Sequence, residues 1–420
     1  MRILHLVHQY PPEFIGGTER YTMELAEQQA LAGHAVAVFA PTTSLPTKER
    51  PVLANGIIEY RPLIGQRTAH SVFAATFSSR SLLESFVGAV REFKPALVHI
   101  EHLIGLPLKI IDQIVDADIP FIVTLHDYWF ICANAQLLTN YDQTICSGPD
   151  RYLNCARCAL VRSGVPSLQP LSPPVAPLMA WRNKVIEKAL IKARRLIAPT
   201  RFVKAKYLEF FDLAEKVVVI PHGIRMPELP LIEHKYQANR LNISYVGGLS
   251  WQKGVHVLIE AVNMMPEEDV WLGIYGDTSA FPQYVADLSQ MIRHPGIKMP
   301  GQIDRGKLWS VLSKSDVVVV PSLWYETASL IVQEAFAARV PVVASRIGAL
   351  QERVVDEHDG LLVAPGDARS LQRTLMQLYK QPELRLKLRS GIQPVRTIED
   401  HASAIENLYR TVLHEPIDQS

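Results

Sequence analysis

With 420 residues, 48% of them hydrophobic, the chain can bury large cores, and its length suggests two or three domains. A formal net charge of +1 argues against a dedicated nucleic-acid binder, and no nucleic-acid partner is expected. No uninterrupted apolar run reaches the ~18 residues of a membrane span, and the stretch Arg2 to Val7 is too short and polar-interrupted for a signal peptide, so a cytoplasmic protein is expected.

Arg2 to Val7 reads as a first strand. It runs through two prolines into Gly16, Gly17, Thr18 and Glu19, which open an apolar-periodic helix through Leu25 and Ala30. Glycines in a strand-to-helix turn let backbone approach a ligand and leave helix-start amides for phosphate. The spacing is not G-x-G-x-x-G, so a dinucleotide fingerprint is not supported. A βα rhythm continues through residues 33–40, 96–100 and 121–125. The last of these strands delivers His126, Asp127, Tyr128 and Trp129 at its C-terminal end, the edge where ligands bind in open α/β sheets.

All four cysteines follow at once, Cys132, Cys146, Cys155 and Cys158, so disulfides are not a general device of this chain. The pair Cys155 and Cys158 has C-x2-C spacing, and four thiols so close together have the composition of a tetrahedral thiolate site. The wider intervals match no standard ribbon or finger. A structural zinc or other metal, free thiols and a redox pair all stay open. Four cysteine ligands would leave no open position for catalysis.

Val165 to Pro177 is rich in proline and serine and is expected to be an extended loop. Residues 181–195 form a helix with one apolar stripe and a basic opposite face; such a helix packs on a sheet, or rests on anionic lipid as a peripheral membrane contact. Strands at 196–200 and 217–224 end the first domain, and a hinge is placed at 225–240, which is charged and poorly periodic. The second domain restarts at Leu241 with strand, glycine loop and helix, and puts Lys253 before the helix start, well placed to neutralise a diphosphate. Strand and loop recur at 270–277, reaching Gly276, and at 297–303, reaching Gln302.

The stretch that organises the second domain begins at Val317. Four valines closed by Pro321 read as a parallel-sheet strand covered on both faces, followed by a helix whose apolar stripe holds Leu330, Ile331, Ala335, Phe336 and Ala338, then by a strand from Val340. Glu326 lies at or just before the helix start and Glu334 two turns inside, roughly 12 Å apart along a helix axis. Any two glutamates so placed are most simply a first-turn acid and a solvated side chain. Glu334, however, falls where an unpaired carboxylate would be expensive, and sugar hydroxyls are suitable donors for it.

The pattern Pro321-Ser322, Glu326, seven residues, Glu334-Ala335, then Pro341 to Ser345 and Gly348 with Glu352 resembles the retaining glycosyltransferases of the GT-B fold with an E-x7-E signature, the family 4-like "glycosyl transferases group 1". Thr124 to Trp129 resembles that family's N-domain motif. The resemblance implies an α/β chain of two Rossmann-like domains facing a central cleft. An N-terminal acceptor domain would span 1–225 with the cysteine insert 132–158, a nucleotide-sugar domain 226–395, and a last helix 396–420 would pack back on the first. It gives Glu326 the donor-sugar hydroxyls, Glu334 the ribose, and the amides near Ser329 and Leu330 the diphosphate. His126 then lies beside the reaction centre, and Asp127 orients its imidazole or approaches the acceptor. The Gly16–Gly17 loop reaches donor phosphates, Gly276 belongs to the donor site, and Gln302 lies near the base.

Two departures stand out. Arg339 occupies the position of a helix-ending glycine, and Gly248 that of a phosphate-binding arginine. Lys253 therefore carries more of the leaving-group charge, with Arg201, Arg225 or Arg346 as substitutes that the sequence does not choose between. The implied activity is retaining transfer from a UDP- or GDP-sugar to a glycan or lipid-linked acceptor in polysaccharide or glycolipid biosynthesis, at the cytoplasmic face of the membrane where the acceptor is lipid. No essential divalent metal is implied, because no Asp-x-Asp motif stands at a strand end. The alternatives are a non-catalytic glycan- or partner-binding protein on this fold and a nucleotide-sugar epimerase.

Overall fold

The computed structural model describes residues 1–44, 52–65, 68–227 and 240–415. The chain divides into two compact units: residues 1–223 with 398–420, and residues 224–397. Most of the segment read as a hinge, 228–239, lies outside the described residues.

The first unit is built on eight strands: β1 (Arg2–Leu6), β2 (Ala35–Phe39), β3 (Val52–Ala54), β4 (Ile57–Tyr60), β5 (Leu97–Ile100), β6 (Phe121–Thr124), β7 (Arg195–Ala198) and β8 (Val217–Val219). Their order is β3-β4-β2-β1-β5-β6-β7-β8. Every pairing is parallel except β3 with β4. Strands β5 and β6 are buried along their whole length, as a sheet covered on both faces requires. The strand order reverses between β1 and β5, and ligand sites of doubly wound sheets open at such a reversal, beyond the C-terminal ends of the strands. His8, Glu101 and His126 all follow that edge. The register sets His5 beside His99.

The second unit has six parallel strands: β9 (Leu241–Val246), β10 (Val270–Tyr275), β11 (Ile297–Lys298), β12 (Val317–Val320), β13 (Val342–Ser345) and β14 (Gly360–Val363). Their order is β11-β10-β9-β12-β13-β14. The four valines of β12 are all buried. They divide between the two cores: Val317 and Val319 face the helix Val255–Asn263 side, Val318 and Val320 the side of the helix Leu330–Ala337, which is strand alternation inside a doubly covered sheet. Order reverses here between β9 and β12. The loops leaving these two strands carry Lys253 and Glu326.

Two local expectations are revised. The proline-rich stretch 165–177 is not an extended loop: a 3₁₀ turn covers Pro166–Leu171 and a helix covers Ser172–Ile191. Pro173 and Pro174 fall in that helix's first turn, where no backbone N–H is needed and the fixed φ is already helical. Arg339 takes the left-handed conformation, φ 59°, that its family-glycine position demands. Its guanidinium donates to the Ile392 carbonyl at 2.5 Å, an interaction that glycine could not make.

Candidate functional site

In the second unit the loop after β12 folds back so that Glu326 is 6% exposed. Three donors converge on one of its oxygens, Oε1: Lys253 Nζ at 2.8 Å, Ser322 Oγ at 2.7 Å and Trp324 Nε1 at 3.0 Å. None of the described residues donates to Oε2. Burial pushes this carboxyl up, but the Lys253 charge and the three donors outweigh it and hold the pKa below its ordinary 4.5, so Glu326 is a carboxylate at neutral pH. Lys253 also lies over the Trp324 ring, 5.2 Å from its centroid, while its ammonium has donors to spare for an anion. Gly254 makes this approach of the two loops feasible. Its φ is 71°, and a Cβ there would sit 1.9 Å from the Pro321 carbonyl oxygen.

Ser329, in the left-handed region at φ 47°, starts the helix Leu330–Ala337. Glu334 is buried on it at 3% exposure and is held by Arg305 Nη1. Arg305 also stacks on Trp309. Arg305 is not singled out in the sequence; of the three arginines considered for the diphosphate, Arg346 pairs with Asp356 at an exposed position. Gly276 is closely packed, and a Cβ on it would meet the Gly247 carbonyl oxygen at 2.2 Å. Gln302 is exposed in the loop before the helix Arg305–Leu312. Gly248 faces open space.

In the first unit His126 is 8% exposed, and its orientation is fixed by a residue that the sequence reading did not single out. Glu101 Oε2 accepts from His126 Nε2 at 2.9 Å, and Glu101 Oε1 from His5 Nδ1 at 2.8 Å. A carboxylate can only accept, so it selects the Nε2–H tautomer of His126. Glu101 is fully buried, yet the histidines around it hold it well below the carboxylate range against the effect of burial. His99 bonds Tyr409 at 2.6 Å and Thr124 at 2.7 Å, and burial depresses its pKa to about 3, so it stays neutral. His5, His99 and Glu101 lie close enough to hold a metal ion. Each already has protein partners, Gln29 on His5 among them, so the cluster is a satisfied hydrogen-bond network. Tyr409 belongs to the helix Ile398–His414, which returns to this unit.

Asp127 does not orient the His126 imidazole. It accepts instead from His102 Nε2 at 2.9 Å and from the Trp129 amide at 2.7 Å. Gly16 caps the helix Gly17–Leu31, and its amide is occupied by Glu19 Oε2 at 3.0 Å. A Cβ on Gly16 would strike that oxygen at 2.4 Å, whereas Gly17 has open space. The four cysteines are half-buried and none is in a disulfide, with Cys155 and Cys158 on the helix Leu153–Arg162.

Two missed residues left different traces. Glu101 stands directly after a fully buried strand, at the ligand edge, and an acid there is a readable signal. Arg305 opens the helix Arg305–Leu312 after a polar loop, with nothing in the sequence to single it out.

Two parallel-sheet domains of this construction define the GT-B fold, and comparison with solved structures agrees. Sucrose-phosphate synthase of Thermosynechococcus elongatus superposes with a TM-score of 0.75 at 20% identity, covering 98% of each chain. HepE of Anabaena, solved in complex with UDP and glucose, gives 0.68 at 17% identity over 98% of this chain and 100% of that one. The Glycosyltransferase Family 4 model matches residues 15–226 and the "Glycosyl transferases group 1" model residues 233–393. The chain belongs to Glycosyltransferase Family 4. Among curated relatives, glycogen synthase of Mycobacterium tuberculosis is 24% identical over 91% of this chain and 87% of its own. Phosphatidyl-myo-inositol mannosyltransferase of Mycobacterium leprae is 24% identical over 97% and 96%. No helix among the described residues is long and apolar enough to cross a membrane.

Proposed function

We propose that this glycosyltransferase transfers a hexosyl group, with retention of configuration, from a UDP- or GDP-sugar to a glycan or lipid-linked acceptor. The observation that carries the reading is the split role of Glu326. One oxygen gathers Lys253, Ser322 and Trp324, while the other has no described partner. Oε1 thus holds the ammonium, and Oε2 is left to accept a donor-sugar hydroxyl. Departure of a nucleoside diphosphate builds negative charge that a fixed, partly desolvated lysine stabilises. The amides around Ser329 and Leu330 add to that stabilisation as a helix N-terminus does. Glu334, braced by Arg305, would take the ribose hydroxyls, and Gln302 would lie by the base. His126, with its tautomer set by Glu101, would position the sugar, and Asp127 would face the acceptor. Catalysis in this scheme needs no metal, since Lys253 supplies the cation.

The test is a thermal-shift panel of UDP-, GDP- and ADP-sugars, followed by turnover and product-anomer analysis by NMR with the stabilising donor. A ligand at a hundred times its Kd raises stability by about 2.7 kcal/mol, so one nucleotide series is expected to raise Tm. Glu326→Ala is expected to abolish turnover. A folded protein shifted by none of these sugars, or a Glu326→Ala variant with undiminished donor turnover, overturns the proposal.

A further inference from the structure

We propose that Cys132, Cys146, Cys155 and Cys158 are the ligands of a structural zinc site in the first unit, separate from the donor chemistry and not dependent on it. The chain holds four cysteines in all, and they come from three different pieces of backbone. Cys132 ends the turn that follows β6, with its amide on the Tyr128 carbonyl. Cys146 closes a short loop that starts at Leu137, its amide on the Leu137 carbonyl. Cys155 and Cys158 sit one turn apart on the helix Leu153–Arg162. All four nevertheless line one cavity of about 420 Å³. A chain that merely tolerated cysteine would have no reason to collect its whole complement there.

Three further features point to a bound cation rather than to idle thiols. First, amide donors are aimed at sulfur: the Asn140 backbone N–H lies 3.3 Å from Cys158 Sγ, and Asn154 Nδ2 3.5 Å from Cys146 Sγ. Donors to the ligand atoms are a regular part of metal sites, where they orient the ligand and spread its charge.

Second, Arg182 lines the same cavity at 1% exposure. Its guanidinium donates to the Trp129 carbonyl and to Asn183, yet it makes no ion pair among the described residues. A buried charge without a counter-charge is expensive. The acidic groups near enough to act on it are the thiols of Cys132 and Cys155, then the Tyr207 phenol and Asp127, and Asp127 is already paired with His102. Four thiolates around one dication carry net negative charge, which is the counter-charge that Arg182 lacks.

Third, the segment around the thiols is conformationally demanding. Ala135, Leu137, Gln143, Arg151 and Tyr152 all have left-handed φ angles between 45° and 64°, which non-glycine residues adopt only where surrounding structure imposes it.

The described geometry is not that of closed ligands, because no three of the four sulfurs lie within 4.8 Å of one another. Zinc binding would therefore rotate the cysteine side chains toward a common centre at Zn–S distances of about 2.3 Å, displacing the thiol protons to solvent. Four sulfur ligands fill the tetrahedron, so the site stabilises the loop that follows His126 without adding a reactive position.

The experiment uses the full chain, purified under reducing conditions without chelator. Zinc per chain is measured by inductively coupled plasma mass spectrometry. Thiols are titrated before and after release of metal by an organomercurial. Cobalt(II) is then exchanged into the site and its absorption recorded, which needs no cysteine variant and so cannot be confounded by misfolding. We expect one zinc per chain, thiols that react only after metal release, and the sulfur-to-cobalt charge-transfer and ligand-field bands of a tetrahedral tetrathiolate. Zinc-free protein with four freely titratable thiols overturns the site. So do intramolecular disulfides in reduced preparations, or a cobalt spectrum of nitrogen and oxygen ligation.

Discussion

Replacing Lys253 by methionine inverts the electrostatics of Glu326, and the inversion is readable as a change in how stability depends on pH. In the wild type, burial acts to raise the Glu326 pKa, but Lys253 leads the groups that bring it below 4.5. A folded-state pKa below the unfolded value adds stability above the unfolded pKa, lost as pH falls through the folded one. In Lys253→Met the ammonium is gone, while Ser322 and Trp324 remain as donors. Burial, the largest single influence, then governs, and the folded pKa rises above 4.5. The contribution reverses: it is fully present below the unfolded pKa and lost as pH rises through the raised folded value.

The difference between the two proteins is therefore small at pH 4, grows as pH rises, and levels off once the variant's Glu326 has ionised. Its size follows from the contact. The N–O distance is 2.8 Å, with the lysine side chain 28% and the glutamate side chain 8% exposed. Removing one partner of a mostly buried, charge-assisted hydrogen bond costs about 1.5–3 kcal/mol, toward the lower end here because water reaches the lysine. Chemical denaturation of both proteins from pH 4 to 8, read by fluorescence and fitted for each unit's transition, measures it. A stability difference that is constant with pH, or that shrinks as pH rises, refutes the reasoning, because it would mean that Lys253 does not set the ionisation of Glu326.

Three other substitutions probe the loops and the buried network. Glu101→Gln keeps the size of the side chain but presents N–H to one of the two imidazoles that now donate to it. It is expected to lower kcat for donor turnover about 10–100-fold through misplacement of His126, with KM for the donor changed much less; an unchanged kcat removes Glu101 from any positioning role. Gly254→Ala forces a Cβ to 1.9 Å from the Pro321 carbonyl oxygen at a φ of 71°, and is expected to destabilise the second unit by about 2 kcal/mol or more, whereas Gly248→Ala, with open space at its Cβ, stays within about 0.5 kcal/mol of wild type. Paired denaturation curves decide it, and equal losses at both positions would refute the steric account.

What the sequence disclosed and what it withheld divide along the range of the interaction. The buried valine run, the strand-glycine-helix turns and the amphipathic helices are local patterns, and β12, β9 and the helix Leu330–Ala337 stand where periodicity put them. A proline count misled at 165–177 because position within a helix, not number, decides whether proline breaks it. The partners of the candidate site residues are non-local. Glu101 and His126 are twenty-five positions apart, Arg305 and Glu334 twenty-nine, and Lys253 and Glu326 seventy-three, and nothing in a one-dimensional pattern says which acid meets which base. The topology does supply a rule for one of these three. Glu326 follows β12, beside the β9 whose loop carries Lys253, and the order of that sheet reverses between them, whereas Glu101 and His126 follow the neighbouring strands β5 and β6 on one side of the reversal in the first sheet. Loops leaving adjacent parallel strands on either side of a reversal diverge, and the space between them is where a buried charge can be both paired and reached by a ligand. Arg305 lies outside that rule, on a helix following the edge strand β11, and that is why its pairing with Glu334 needed the structure to be seen.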